Sequence, residues 1–228
     1  MMSPEIVSRT EWLAAHEALM AREKAMTRAE DALAADRRRQ PWELVEKDYE
    51  LVGPDGKLSL SDAFEGRRQL ILYHHMLKKD DPAPCSGCGM FTDNVAGNLA
   101  HLNQRDTTFA IVAQAPIDQI EALKTRLGWT MPFYSTSGDI NGDFCGGYFG
   151  LNVFIKHEGR IYRTYYTTGR GVEKLGTSWT FLDLTPLGRQ EKWEDSPEGV
   201  PQTDPFRWWR LNDEYEAEKK AHACCAAE

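Results

Sequence analysis

The 228-residue sequence contains no apolar run of membrane-spanning length, no apolar segment near its start that reads as an export signal, and no excess of positive charge. The first two absences exclude a helical membrane protein and lead us to expect a soluble, cytoplasmic chain with no membrane partner. The third excludes nucleic acid as a natural partner: 27 Lys and Arg stand against 35 Asp and Glu, and a formal net charge of -8 repels a phosphate backbone. The one basic cluster, Arg37-Arg38-Arg39 behind Asp36, reads as a solvated helix end. Cysteine is scarce as well. Five of them, an odd number without an export signal, do not make a structural disulfide framework, so any disulfide here is transient and chemical. The glycines between Gly138 and Gly150 lack the spacings that cradle phosphates, and they read as turn formers in an irregular loop. No cofactor is expected.

With 41% hydrophobic residues, the chain can bury a core large enough to fold without staples. Residues 1–40 form an extension: from residue 8 to about 36, Trp12, Leu13, His16, Leu19 and Met20 recur at helical spacing. The apolar stripe of that helix needs a cover, either the rest of the chain or a second copy in a homodimer. Residues 41–215 form the main domain, and 216–228, ending "KKAHACCAAE", a tail. Within the domain, Gly53-Pro54-Asp55-Gly56 is a turn between two short strands, and "RRQLILYHHML" holds a continuous apolar strand of the kind covered on both faces. "TTFAIVAQA" is a second strand, Pro116 opens a helix that ends at Gly128, and "MPFYSTS" is a third strand. "LNVFIKHEGRIYRTYY" alternates as a hairpin with Glu158-Gly159 at its tip, and the aromatic-rich remainder reads as a wrap over the core.

Between the first and second strands lies "PCSGCGMF". Phe91, Val95, Leu99 and Leu102 continue from it at helical intervals, which puts Cys85 and Cys88 in the first turn of a helix just beyond a buried strand. Reactive groups of α/β sheets belong at that location. A helix amino terminus stabilises a thiolate, the species that attacks disulfides. Cys85, at the tip, is then the nucleophile, and Cys88, on the apolar stripe, the shielded resolving thiol. A pair of inert thiols and half of a zinc site are the competing readings. Zinc needs a second half, and neither His74, His75, His101, Cys145 nor Cys224-Cys225 supplies one at ligand spacing, so no metal is expected. His74 and His75 point to opposite faces of their strand, so one of them can approach the thiols; Cys145 reads as a small apolar filler.

These segments, together with "RTYYTTGRGVEKL" and "FLDLTPLGRQEKWEDSPEG", resemble the bacterial DUF899 family over about Pro41 to Tyr215. That family is regarded as thioredoxin-like and as a group of predicted dithiol-disulfide oxidoreductases. The resemblance implies an α/β, thioredoxin-like fold with a central mixed sheet flanked by helices. It implies Cys85 as nucleophile and Cys88 as resolving partner, with Pro84, Ser86, Gly87, His74 and Asn152 as site neighbours. It also implies two partners, a disulfide or thiol substrate and a cellular dithiol reductant. The chain departs from a thioredoxin in having Pro84 where Trp precedes the first cysteine, Ser86-Gly87 between the two, and no proline in Leu151-Asn152-Val153. It departs from a peroxiredoxin in having Pro82 where a Thr stands, which disfavours peroxide reduction, and its "GDINGDFCGG" loop differs from the family's usual form. The other class of function consistent with these residues is a non-catalytic thioredoxin-like interaction module, dimeric through its first helix, with vestigial thiols.

Overall fold

The computed structural model describes residues 5–81, 83–95 and 99–215. The segment from 216 onward, with Cys224 and Cys225, lies outside the described residues. The chain starts with the long helix α1 (Arg9–Arg39), opened by a capping box in which Ser8 and Glu11 satisfy each other's free groups. A short strand β1 (Glu43–Leu44) follows, then the hairpin of β2 (Glu50–Gly53) and β3 (Gly56–Ser59) around the expected Pro54-Asp55 turn. The core unit is β4 (Gln69–Lys78), α2 (Ser86–Val95), α3 (Leu99–Asn103), β5 (Thr107–Gln114), α4 (Ile117–Leu127) and β6 (Phe133–Thr136). Helix α5 (Asp139–Cys145) leads to the hairpin β7 (Gly150–His157) and β8 (Arg160–Thr167). The short helices α6 (Arg170–Glu173) and α7 (Thr177–Leu182) open the wrap.

The eight strands form one sheet in the order β1-β8-β7-β4-β5-β6-β2-β3. β4, β5 and β6 run parallel, while β7 pairs antiparallel with β4, so the sheet is mixed and β4 lies near its middle. Alternation along the strands divides the core in two. Tyr73, Phe109, Ile111 and Leu151 face the side covered by α2, α4 and the wrap. Leu70, Leu72, Val112 and Phe154 face the side covered by α5 and the 3-10 turn Asp62–Phe64. On α4, Ile120, Leu123 and Leu127 are the buried stripe, and Gly128 ends the helix at φ 71°.

One element differs from expectation. The segment read as an irregular glycine-rich loop contains α5, because Ile140, Asn141, Phe144 and Cys145 form one buried helical face while Gly142 lies outward with open space where a Cβ would be. Its glycines are the caps: Gly138 and Gly146 hold φ of 103° and 61°, which terminates the helix on both sides. A seven-residue helix carries too few turns for its period to be legible. The sequence left open whether the domain or a second copy covers α1, and the domain does not. None of its residues is buried, and Trp12, Leu19, Met20 and Met26 are each about half exposed. Its carboxyl-terminal half is fastened to the body by the Glu30–Lys174 ion pair at 2.5 Å and by Arg37 over the Tyr165 ring.

The wrap is held by a knot of buried charge within "LDLTPLGRQEKW". Arg189 donates to both oxygens of Asp183 and to Glu173, each at 2.7 Å. Glu191, 1% exposed, accepts from the Phe206 backbone N–H, the Trp208 indole and the Trp193 indole. An ionised carboxylate with three donors is the sort of buried charge a fold tolerates. It fixes where residues 206 to 211 cross the domain.

Candidate active site

β4 ends beside the cysteine turn. The Cys85 N–H donates to the Met76 carbonyl at 3.3 Å, and the Gly89 N–H to the Cys85 carbonyl at 2.9 Å, so the helix begins within the motif. Cys85 is half-buried, whereas Cys88 is 2% exposed on the core face with Phe91 and Val95. The two sulfurs differ electrically. Hydrogen bonding from the Cys88 thiol, and then from the Cys88 and Gly87 backbone N–H groups, lowers the Cys85 pKa from 9.0 to about 6, against the opposing effect of burial. The same thiol contact, together with burial, pushes Cys88 well above its ordinary value. The Tyr73 hydroxyl, on the neighbouring stretch of β4 and 1% exposed, hydrogen-bonds to Cys88 and moderates that rise.

Above this turn lies the wrap. A Cβ built on Gly87 would come within 2.5 Å of Trp209 Cζ3, and one on Gly89 within 2.5 Å of Leu211 Cδ2. The glycines of Cys-Ser-Gly-Cys-Gly are therefore bare backbone on which Trp209 and Leu211 rest. Beside Cys85 a cavity of about 480 Å³ remains between the turn, Met76, Phe149, Trp179, Phe206 and Trp209.

The expected site residues divide. Cys85, Ser86, Gly87 and Cys88 line this cavity together. Pro84 lines a separate shallow groove against Leu123 of α4. His74 is on the opposite face of the sheet, its Nδ1 3.0 Å from Asn141 Oδ1, and burial lowers its pKa to about 4. Asn152 is on that opposite face too, donating to the Phe144 carbonyl and accepting from Arg163. His75 shares the face of Tyr73, but it is enclosed by Trp129 and Phe133 and pushed down to about 3 by burial. Cys145, raised to about 11 chiefly by burial, points its thiol at the Asn141 and Tyr148 carbonyls. Among the described residues, no three His, Cys, Asp or Glu side chains converge as a metal site would require.

Sequence reading did not single out Tyr73, Trp179, Phe206 or Trp209. The parity of the strand offered one signal, since Tyr73 and His75 share a face, but nothing local assigns that face to the cysteines. The tryptophans reach the site through contacts more than 90 residues long in sequence, which no periodicity encodes.

The family profile described as "Bacterial protein of unknown function (DUF899)" matches residues 1–215. The chain belongs to the DUF899 family. No curated protein matches it. Among solved structures, this DUF899 protein is similar to a thiol:disulfide interchange protein from Bacteroides sp., at 13% identity and a TM-score of 0.44 over 61% of this chain and 88% of that one. It is similar to thioredoxin peroxidase I of Plasmodium yoelii at 16% identity and 0.40, over 60% and 85% of the two chains. Peroxidoxin BcpB from Mycobacterium tuberculosis matches at 12% and 0.40, over 60% and 93%. The strand order itself, a parallel β4-β5-β6 unit extended past β4 by the antiparallel β7-β8 hairpin, is the expected thioredoxin-like α/β arrangement. No described helix is long and apolar enough to cross a membrane.

Proposed function

We propose that this DUF899 protein is a dithiol-disulfide oxidoreductase. The observation that carries this reading is the asymmetry of one helical turn: Cys85, half-buried, receives hydrogen bonds from two backbone N–H groups and a thiol, while Cys88 is buried behind it. The Cys85 thiolate attacks one sulfur of a substrate disulfide, forming a mixed disulfide and expelling the other half as a thiolate. Cys88 then gives up its proton and attacks the Cys85 sulfur, which releases the second half and leaves a Cys85–Cys88 disulfide. Two electrons pass to the substrate. An external dithiol returns them, so the cycle needs no bound cofactor. Tyr73, which touches the Cys88 sulfur, is placed to stabilise the thiolate that forms during resolution.

The test is a trapping experiment. Cys88→Ser should accumulate a mixed disulfide at Cys85, and mild oxidation of the unmodified chain should yield a Cys85–Cys88 disulfide on peptide mapping. Free thiols at both positions after oxidation, or pairing with Cys145 or the tail, would refute the assignment. A non-catalytic module would leave Cys85 with the reactivity of an ordinary thiol. Self-association through the half-exposed stripe of α1 remains part of the proposal. It predicts a sedimentation coefficient that falls when Trp12 and Leu19 are replaced by polar residues.

A further inference from the structure

The wrap limits what can reach Cys85. Trp209 rests on Gly87 and Leu211 on Gly89, so that side of the cysteine turn is occupied by the chain itself. Access is through the 480 Å³ cavity, a volume typical of small-molecule sites. Its walls are apolar: Met76, Phe149, Trp179, Phe206 and Trp209. Of the two charged side chains along it, Glu173 pairs with Arg189 at 2.7 Å, and Arg170, exposed at the mouth, lies over the face of Trp193 at 3.7 Å.

We infer that the substrate is a small, largely apolar organic disulfide, in preference to a folded protein or a highly charged peptide disulfide. This rests on the exchange reading above and specifies its substrate. An apolar substrate gains contact with the rings of Phe149, Trp179, Phe206 and Trp209, whereas the ionised groups of a charged peptide stay at the solvent-facing mouth beside Arg170 and gain nothing from those walls. The balance is that of exchange: one substrate disulfide is reduced to two thiols while the Cys85–Cys88 pair is oxidised. A soluble dithiol restores the pair.

The experiment mixes the pre-reduced full chain with dipyridyl disulfide, with oxidised glutathione and with insulin, and divides each rate constant by that of free dithiothreitol with the same disulfide. The division removes differences in leaving-group chemistry. The expected result is a normalised rate for dipyridyl disulfide at least about tenfold above the other two, as one well-placed contact pair would supply. Trp179→Phe, which shrinks the aromatic wall, and Phe206→Ala at the cavity rim should each reduce that preference. A melting curve shows whether each variant is folded, and the rim position, 53% exposed, is tolerant if the inner one is not. Equal normalised rates would overturn this inference and leave the exchange reading standing. No exchange with any disulfide would overturn the exchange reading instead. In that case quenching of tryptophan fluorescence by the unreactive dipyridyl sulfide still decides the cavity: saturable quenching supports an apolar-ligand site, and none refutes it.

Discussion

Cys85 should ionise about three pH units below an ordinary thiol, and the size of that effect follows from the contacts around it. A shift from 9.0 to about 6 corresponds to roughly 4 kcal/mol of preference for the thiolate. At pH 7 only part of this is realised. The folded thiol is then mostly ionised and the unfolded one almost wholly protonated, which favours the reduced folded chain roughly elevenfold, or about 1.4 kcal/mol. For a two-electron couple, that stabilisation of the reduced form raises the potential of the disulfide by about 30 mV. The sign follows from linkage: a lowered folded pKa adds stability that is complete above the unfolded value of 9.0 and disappears as pH falls through about 6. Cys88 is protonated in both states up to about pH 8. Above it, the unfolded chain loses the Cys88 proton first, because the folded pKa is raised, and the gain turns down. The assay is the rate of iodoacetamide alkylation at Cys85 across pH, followed by mass spectrometry, with glutathione as the reference thiol. Cys88→Ala removes the largest stabilising contact but leaves the Cys88 and Gly87 N–H groups, so its midpoint should fall between 6 and 9.0. A midpoint for the unmodified chain at or above that of glutathione, with Cys85 accessible, would refute the reasoning.

Gly87→Ala should destabilise the fold by about 1–3 kcal/mol in urea titrations and speed Cys85 alkylation, because its Cβ would displace the Trp209 ring. Gly142→Ala is the matched control: the helix α5 has open space there, and the substitution should stabilise by about 0.5–1 kcal/mol. Glu191→Gln presents an amide NH₂ where three donors converge, and should cost about 2–3 kcal/mol while opening residues 203–211 to hydrogen exchange. Tyr73→Phe removes the hydroxyl that moderates the Cys88 pKa, and should lengthen the lifetime of a mixed disulfide at Cys85 without changing the Cys85 alkylation midpoint by more than about half a unit.

The parts of this protein that were legible in its sequence are those fixed by local periodicity. The apolar run Leu70 to Tyr73 identified the central strand, and Ile120, Leu123 and Leu127 with Gly128 identified α4 and its end. The Glu158-Gly159 tip, with both residues at positive φ, identified the hairpin. The helix that carries the cysteines was equally visible through Phe91 and Val95. Helix α5 was hidden because seven residues between capping glycines carry the composition of a loop, and because a buried Asn141 interrupts its apolar face. His74 shows the limit of parity arguments: alternation separates the two histidines correctly, but which face meets the cysteines depends on the side taken by the crossover helices.

The surroundings of the dithiol were illegible for a different reason. Two glycines flank Cys88, and in isolation Gly87 and Gly89 look like poor helix formers, each costing the helix roughly 0.5–1 kcal/mol relative to alanine. They make sense only with residues 206–211 in place, since Trp209 and Leu211 occupy the space that side chains there would fill. The same is true of "LDLTPLGRQEKW", whose Arg189 and Glu191 lie far from the thiols in sequence and do not touch them. Their role is to hold residues 206–211 across the cysteine turn, so a charged knot remote in sequence and the proposed dithiol act on one structure. It follows that loosening the knot should change Cys85 before it unfolds the sheet. Glu191→Gln should therefore raise Cys85 accessibility at denaturant concentrations where the β-sheet signal in circular dichroism is still native, and simultaneous loss of both would place the wrap within the cooperative core instead.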